Sequence, residues 1–241
     1  MGRKKGPHVN KAFAYIRDRI ISYELLPGEI VSTINLSKEL NMSRTPIMES
    51  ILLLKSAGLV EIINDNMCVS PLELGDIIEI CQVRVAVECS SINIIMENGG
   101  LQPSQRQKLK KIFHQLSKTL SSRNFKEHYY YDDLFHTTIV EFTKNKRLVN
   151  ISEMMRLQIQ RARWLNVALP NNRREKAHKE HKNILDAILD NNEEACIKAI
   201  KDHISKSKEN FIKIIEDQNL RIAILSIQNI YKNIYKDEVK E

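Results

Sequence analysis

The sequence is poor in the residues that mark several protein classes. Its 241 residues include only 4 cysteines, 7 glycines and 6 prolines. So few cysteines, none of them in a CxxC pair, exclude a disulfide framework and a thiolate metal site. The apolar runs are short, as at residues 51–54, whereas a membrane-spanning helix needs about 18 apolar residues. With 42% hydrophobic residues, the chain is also too apolar to be disordered.

The beginning of the chain is basic but lacks the apolar core of a secretory signal peptide, because it runs into a segment with Arg17, Asp18 and Arg19. We therefore expect a cytoplasmic protein with no membrane partner and with reduced, buried cysteines. The net charge of +7 is spread along the chain: residues 1–70 hold 9 Lys+Arg against 7 Asp+Glu, and residues 71–241 hold 28 against 23. Any case for nucleic-acid binding must therefore come from local pattern rather than total charge.

Residues 1–70 predict three helices followed by a β-hairpin. Apolar residues at helical spacing favour helices over residues 11–23, 34–40 and 44–57, with breakers at 25–29 and 41–43. Ser32 or Thr33 can cap the second helix and Ser43 the third, whose first turn tolerates Pro46. Two short apolar runs on either side of residues 64–66 are typical of a hairpin. This order of elements is that of a winged helix-turn-helix domain.

The start of the third predicted helix carries residue types suited to DNA. In a helix-turn-helix the second helix of the motif enters the major groove with its N-terminus first. Arg44 can fork onto guanine, and Thr45 can meet a phosphate or a thymine methyl group. The predicted DNA-binding residues are Ser32, Thr33, Ser43, Arg44, Thr45, Asn64 and Asn66. From the residues alone, the alternative is that Ser43 and Thr45 only cap a helix.

Beyond Pro71 the sequence predicts helices only. Helical periodicity covers residues 74–97, 103–120, 124–143, 147–169, 173–189, 193–215 and 220–235. We therefore predict a mainly α fold: a winged helix-turn-helix domain over residues 1–70 and an all-α antiparallel helical bundle over residues 71–241. The last helix has one apolar face, which can pack on the bundle or on a partner subunit.

Histidines and acids on these helices include candidate metal ligands. Asp132 and His136 lie four residues apart and therefore on one helix face, although such a pair is usually only a surface hydrogen bond. His181 and His203 have apolar neighbours at helical spacing, so both can face the interior of a bundle, where helical proteins build metal sites. The competing histidines are His128 and His178.

Three motifs in the N-terminal part resemble the winged helix of GntR-family bacterial transcription regulators: LLPGE at residues 25–29, LSKELNMSRTPIMES at 36–50 and LKSAGLV at 54–60. The resemblance spans residues 12–69. Two departures stand out, because the family usually has an arginine where Met48 stands and a glycine-containing wing tip where residues 64–67 stand. Loss of that arginine removes one expected DNA contact.

Later segments resemble the FCD effector domain of the FadR-type GntR subgroup: DDLFH at residues 132–136, Asn145, EHKNILDAI at 180–188, and residues 195–203. The resemblance implies a divalent metal, zinc first with nickel or manganese as alternatives, held by Asp132, His136, His181 and His203. Residues 82–88 resemble the domain's first helix, whose arginine often faces the ligand cavity. Arg84 is thus expected to bind an effector carboxylate, and its alternative role is an ion pair with Glu88.

The resemblance implies a ligand-responsive transcription regulator that binds an operator as a homodimer and takes a small organic acid as effector. One alternative is the same fold with a metal-free pocket for an acyl or other bulky effector, and another is a metal that only holds the bundle together. A metal-dependent hydrolase is a further alternative, although the sequence lacks an HExxH motif. A run of basic residues is expected on a solvated surface: Arg161, Arg163, Arg173, Arg174, Lys176 and Lys179.

Overall fold

The computed structural model describes residues 6–122, 124–165 and 173–216. The described residues up to Glu73 form one compact unit, and those from Leu74 onward form a second. Among the described helices, none combines the length and the apolar character needed to cross a membrane.

The first unit has the predicted order of three helices and a hairpin. Its elements are α1 (Pro7–Ile21), α2 (Thr33–Glu39), α3 (Arg44–Ser56), β1 (Val60–Ile63) and β2 (Asn66–Val69). α1 begins at Pro7 rather than at residue 11, because proline suits the first helical turn, where its missing N–H is not needed. α1 packs on α3 through fully buried side chains that include Ile16, Ile20, Ile47 and Ile51.

The hairpin closes without glycine. β1 and β2 pair antiparallel through a two-residue turn, in which Asn64 and Asp65 have φ angles of 47° and 62°. Asn and Asp tolerate this left-handed conformation better than other residues with a side chain, and a type I′ turn requires it. One contact was not predicted: the Val31 N–H donates to the Met67 carbonyl at 2.8 Å, so the segment before α2 lies along β2.

The described part of the second unit is helical, as predicted. Its helices are α4 (Leu74–Glu97), α5 (Pro103–Lys118), α6 (Phe125–Phe142), α7 (Lys146–Leu165), α8 (Arg173–Leu189) and α9 (Glu193–Glu216). α4 contacts α6, α7 and α9, and α8 packs on α9 and α5. The inward faces of α4, α6, α8 and α9 carry the site described below. The predicted helix over residues 220–235 lies outside the described residues, as do residues 166–169 of the helix predicted over 147–169.

Candidate metal centre and DNA-binding surface

Three buried histidines from three helices meet inside the helical unit. His136 on α6, His181 on α8 and His203 on α9 are 5%, 1% and 3% exposed. One ring nitrogen of each lies within 4.8 Å of the others, and Nε2 of His136 is 3.0 Å from Nε2 of His181. The structure thus brings together the three histidines that the resemblance to the FCD domain assigned to one site. This group is called the histidine cluster below.

Apolar neighbours explain why the histidines on α8 and α9 point inward. His181 shares a helix face with Ile184, and His203 shares one with Ile200 and Ile204; each of these isoleucines is at most 1% exposed. The two helices pack together because this buries their apolar faces away from water. The histidines are carried into the interior on the same face.

Two buried carboxylates hold the outer ring nitrogens of the cluster. Nδ1 of His136 is 2.9 Å from Oε2 of Glu88, and Nδ1 of His203 is 2.8 Å from Oε2 of Glu180. A neutral imidazole that donates its Nδ1–H to a carboxylate keeps a lone pair on Nε2, the arrangement usual for metal-binding histidines. His181 differs, because no described atom forms a hydrogen bond with its Nδ1.

Both carboxylates also bind an arginine. Oε1 of Glu88 lies 3.0 Å from Nε and 2.8 Å from Nη2 of Arg84, and Arg173 binds both oxygens of Glu180 at 2.9 and 2.8 Å. Burial alone would raise the pKa of Glu88, but Arg84 and His136 hold it well below its usual value. The ion pair considered as the alternative role of Arg84 is therefore formed.

Asp132, the fourth predicted ligand, lies beside the cluster and shares its carboxylate with an arginine. Its Oδ1 is 3.4 Å from Nε2 of His181, and its Oδ2 is 2.8 Å from Nη1 of Arg163. Burial alone would raise the pKa of Asp132, but the charge of Arg163 and the neighbouring histidines lower it well below its usual value. The group is therefore a carboxylate anion at neutral pH.

The chemistry of these donors fits a divalent metal ion. Burial, together with the neighbouring imidazoles, lowers the pKa of both His181 and His203 well below the ordinary histidine value, so both are neutral at pH 7. Metals bind deprotonated ligands, and imidazole with carboxylate is a common set for zinc, nickel and manganese. The imidazoles of His181 and His203 and the carboxylate of Asp132 satisfy that requirement.

Two arginines expected on a solvated surface are buried, so that prediction was wrong for them. Arg161 is 2% and Arg163 6% exposed. The cause is the position of α7, which contacts both α4 and α6, so that charged residues on its flanks also meet other helices. Nη1 of Arg163 forms ion pairs with both Asp132 and Asp133, two neighbouring residues of α6. Of the remaining basic residues, Arg173 and Arg174 are half-buried, and Lys176 and Lys179 are exposed.

Two small cavities flank the histidine cluster, and Arg163 lines both. The first cavity is bordered by His136 and lined in part by Arg84, Glu88, Asp133, Arg156 and Arg163. The second cavity is bordered by His203 and lined in part by His128, Asp132, Arg163, Arg173 and Arg174.

The two competing histidines bind hydroxyl groups rather than joining the cluster. Nδ1 of His128 is 3.1 Å from the Thr119 hydroxyl, and burial lowers the pKa of His128 to about 4. Nε2 of His178 is 3.3 Å from the Ser117 hydroxyl, and its ring stacks on Phe113 at 4.7 Å.

In the first unit, α3 begins with exposed polar residues. Ser43 is the N-cap of α3, and Arg44 and Thr45 are its first two residues; all three are exposed. The Ser43 side chain makes no capping hydrogen bond. Its hydroxyl is therefore not engaged in helix capping and is available for contact with a nucleic acid.

The other predicted DNA-binding residues lie at the start of α2 and at the wing tip. Ser32 caps α2 by accepting a hydrogen bond from the Asn35 N–H at 3.3 Å, and Thr33, half-buried, is the first helical residue. Asn64 and Asn66 are exposed, and the Asn66 side-chain amide donates to the Asn64 carbonyl at 2.9 Å.

Known proteins match the chain over both units. Residues 9–66 match the family described as bacterial regulatory proteins, gntR family, and residues 79–206 match the FCD domain. The HTH-type transcriptional regulator YdhC of Bacillus subtilis is 24% identical over 220 residues, which cover 89% of this chain and 95% of that protein. The Nta operon transcriptional regulator of Aminobacter aminovorans is 24% identical over 196 residues, or 81% of this chain and 90% of that protein.

A solved structure supports the fold. E. coli McbR/YncC superposes with a TM-score of 0.73 at 19% identity, covering 86% of this chain and 98% of that one. The FCD match alone spans more than half of the sequence, and the gntR match covers α2, α3, β1 and all of α1 except its first two residues. The chain therefore belongs to the GntR family: it is a bacterial DNA-binding transcription regulator with an N-terminal helix-turn-helix domain and a helical FCD domain.

Proposed function

We propose that this regulator binds a divalent metal at the histidine cluster and that an anionic effector beside the metal changes its affinity for an operator. The observation that carries the proposal is the convergence of three buried imidazoles, two of which have their outer nitrogens held by carboxylates. The FCD domain spans this cluster, and the relatives cited above are named as transcriptional regulators.

The ion would be held by Asp132, His136, His181 and His203, with zinc as the first expectation and nickel or manganese as alternatives. When bound, it would supply a Lewis-acidic centre able to polarise a carboxylate oxygen. Glu88 and Glu180 orient two of the imidazoles. Arg163 holds Asp132 from the side away from His181, so it is the residue through which the ion and the cavities would influence each other.

The second cavity is the favoured place for the effector's anionic group. Its lining includes three guanidinium groups, of which Arg163 pairs with Asp132 and Arg173 with Glu180, whereas Arg174 donates to the carbonyl oxygen of Ser122. In the first cavity each lining arginine pairs with a carboxylate: Arg84 with Glu88, Arg156 with Glu153 and Arg163 with Asp133. Guanidinium groups recognise carboxylates in a bidentate manner, so a small organic acid fits this charge. Arg84 lines the first cavity, and its binding of an effector carboxylate remains a prediction from the family resemblance.

Two of the alternative functions, the binding of an acyl effector and metal-dependent hydrolysis, have less support. A long acyl chain needs an apolar pocket, whereas both cavities present several charged groups. The metal-dependent hydrolase has no counterpart among the regulators cited above.

On DNA, we propose a homodimer that reads a pseudo-palindromic operator through the N-termini of its two α3 helices, since two-fold proteins read two half-sites. The helix-turn-helix domain over residues 1–70 and the FCD-containing remainder of the chain would act as separate reading and sensing domains. The effector changes DNA affinity only to the extent that it binds one arrangement of the two reading domains more tightly than the other.

The test uses an operator selected from random DNA with the full-length protein. DNA affinity is measured by fluorescence anisotropy while a panel of small mono- and dicarboxylic acids is titrated into zinc-loaded and chelator-treated protein. We expect at least one acid to change the Kd for DNA by about fivefold or more, the usual range of allosteric coupling, in loaded protein only.

Two variants locate the effector. Arg174→Gln changes the second cavity, and Arg156→Gln is the matched change in the first cavity; both arginines are half-buried. The proposal predicts that Arg174→Gln weakens the response and that Arg156→Gln leaves it unchanged. The proposal would be contradicted if an acid changed the Kd for DNA equally with and without zinc, or if none of the acids changed it.

A further inference from the structure

The two faces of α3 differ in what they contact. Ile47, Ile51 and Leu54 are fully buried and hold the helix in the first unit. The opposite face exposes two large apolar side chains, Met48 at 40% and Leu52 at 48%.

These side chains continue the surface that begins with the predicted DNA contacts. Thr45, Met48 and Leu52 follow one another at steps of three and four residues, so they form one stripe along the helix. The stripe starts at the N-terminal end, the part of a recognition helix that lies deepest in the major groove. Met48 is one turn from Thr45 and is therefore within the part of α3 that reaches base edges.

Charge along this face sets which bases it can read. Residues 45–54 contain no lysine or arginine, so Arg44 is followed by no further cation until Lys55. The charged residue between them is Glu49, an exposed acid. Guanine is read chiefly by arginine or lysine at its O6 and N7 atoms, and beyond Arg44 this part of the helix offers neither.

An apolar side chain in the major groove has one specific partner, the 5-methyl group of thymine. Contact between the two removes apolar surface from water on both sides. Methionine is unbranched and flexible, so it can follow the methyl group without strain. Isolated exposed methionines are common on protein surfaces, but this one lies on α3, the second helix of the helix-turn-helix, which enters the major groove.

We propose that Met48 is a specificity-determining residue that contacts the methyl group of a thymine in each operator half-site, next to the base pairs reached by Arg44 and Thr45. The proposal rests on the DNA-binding activity of the protein. It is independent of the metal and of the effector.

Replacement of thymine by deoxyuracil tests the contact, because it removes the methyl group and leaves base pairing unchanged. Operator sites are first selected from random DNA with the wild-type protein, and each thymine of a half-site is then replaced singly. We expect one replacement to weaken wild-type binding by about fourfold, the effect of losing one buried methylene-sized group. The Met48→Ala variant should bind both DNAs equally.

Leu52→Ala is the matched control, since it removes a comparable exposed side chain one turn further along α3. It should keep the wild-type penalty for deoxyuracil. A second variant, Met48→Arg, should change the preferred base pair at the same position from T·A to G·C in a new selection. Met48 is exposed, so circular dichroism should be the same for all three variants and the wild type.

Equal binding of thymine and deoxyuracil DNA at every position would overturn the proposal. So would a deoxyuracil penalty that survives in Met48→Ala. Sedimentation of the free proteins supplies a further check: if Met48→Ala dissociates the oligomer, the exposed stripe is a contact between copies of the chain and not a base-reading surface.

Discussion

Replacement of Glu88 by glutamine perturbs the histidine cluster with almost no change in shape. Glu88 is 5% exposed; its Oε1 accepts a hydrogen bond from Nε of Arg84 at 3.0 Å, and its Oε2 lies 2.9 Å from Nδ1 of His136. Glutamine has one acceptor oxygen, so it cannot accept from both partners. One of the two donors would instead face the amide NH2 group.

Two consequences follow, with separable magnitudes. Loss of the carboxylate partner of a metal-binding histidine typically weakens metal affinity about 10- to 100-fold, or roughly 1.4–2.7 kcal/mol. Arg84 also becomes a buried cation without its counter-ion, which lowers the free energy of unfolding by about 3 kcal/mol. Zinc affinity is measured on chelator-treated protein by competition with a chromophoric chelator. Unfolding in urea is followed by the fluorescence of Trp164, the chain's one tryptophan, which is buried in the helical unit.

Glu153→Gln is the matched control. Glu153 pairs with Arg156 at 2.9 Å, but its side chain is 47% exposed, so losing that charge should cost less than about 0.5 kcal/mol and leave zinc affinity unchanged. The reasoning is refuted if Glu88→Gln binds zinc within twofold of wild type, because the carboxylate would then have no part in orienting the site.

Two further predictions concern acid stability and DNA reading. His128 has a pKa of about 4 in the folded protein against an ordinary 6.5, so between those pH values the unfolded state binds more protons and stability falls as pH falls. At pH 5 this costs about 2 kcal/mol relative to pH 7, and a His128→Gln variant should show a flatter dependence of the urea midpoint on pH. Arg44→Ala should lose about 1–3 kcal/mol of operator binding and relax the preference at one base pair, as measured by competition with singly substituted operators. A uniform loss across all operators would instead assign Arg44 to a phosphate.

Much of the fold was accessible from local pattern. Helical spacing predicted the described helices to within a few residues, and the apolar neighbours of His181 and His203 predicted that both face inward. The hairpin was predicted despite its unusual tip, because Asn64 and Asp65 are the residues that replace glycine in a left-handed turn most readily. Each of these features depends on residues close together in the chain.

The rest of the site depends on which helices face each other, and periodicity in one helix carries no information about that. Glu180 holds His203 of another helix rather than its neighbour His181, and no spacing in the sequence indicates that pairing. Arg163 looked like a surface residue because it lies in a basic run, yet α6 places Asp132 and Asp133 against it. The burial of Arg163 could not be predicted from the sequence, because it depends on carboxylate partners from another helix.

The proposed binding of a divalent metal at the histidine cluster can be tested by measuring the metal content of the protein. Native mass spectrometry of zinc-treated, desalted protein compares wild type with His203→Ala, and with His178→Ala, which removes a histidine outside the cluster. We predict one zinc per chain in wild type and His178→Ala and loss of the metal in His203→Ala. Wild-type protein that stays free of metal after separate treatment with zinc, nickel and manganese would contradict this prediction, as would a His203→Ala variant that retains the ion.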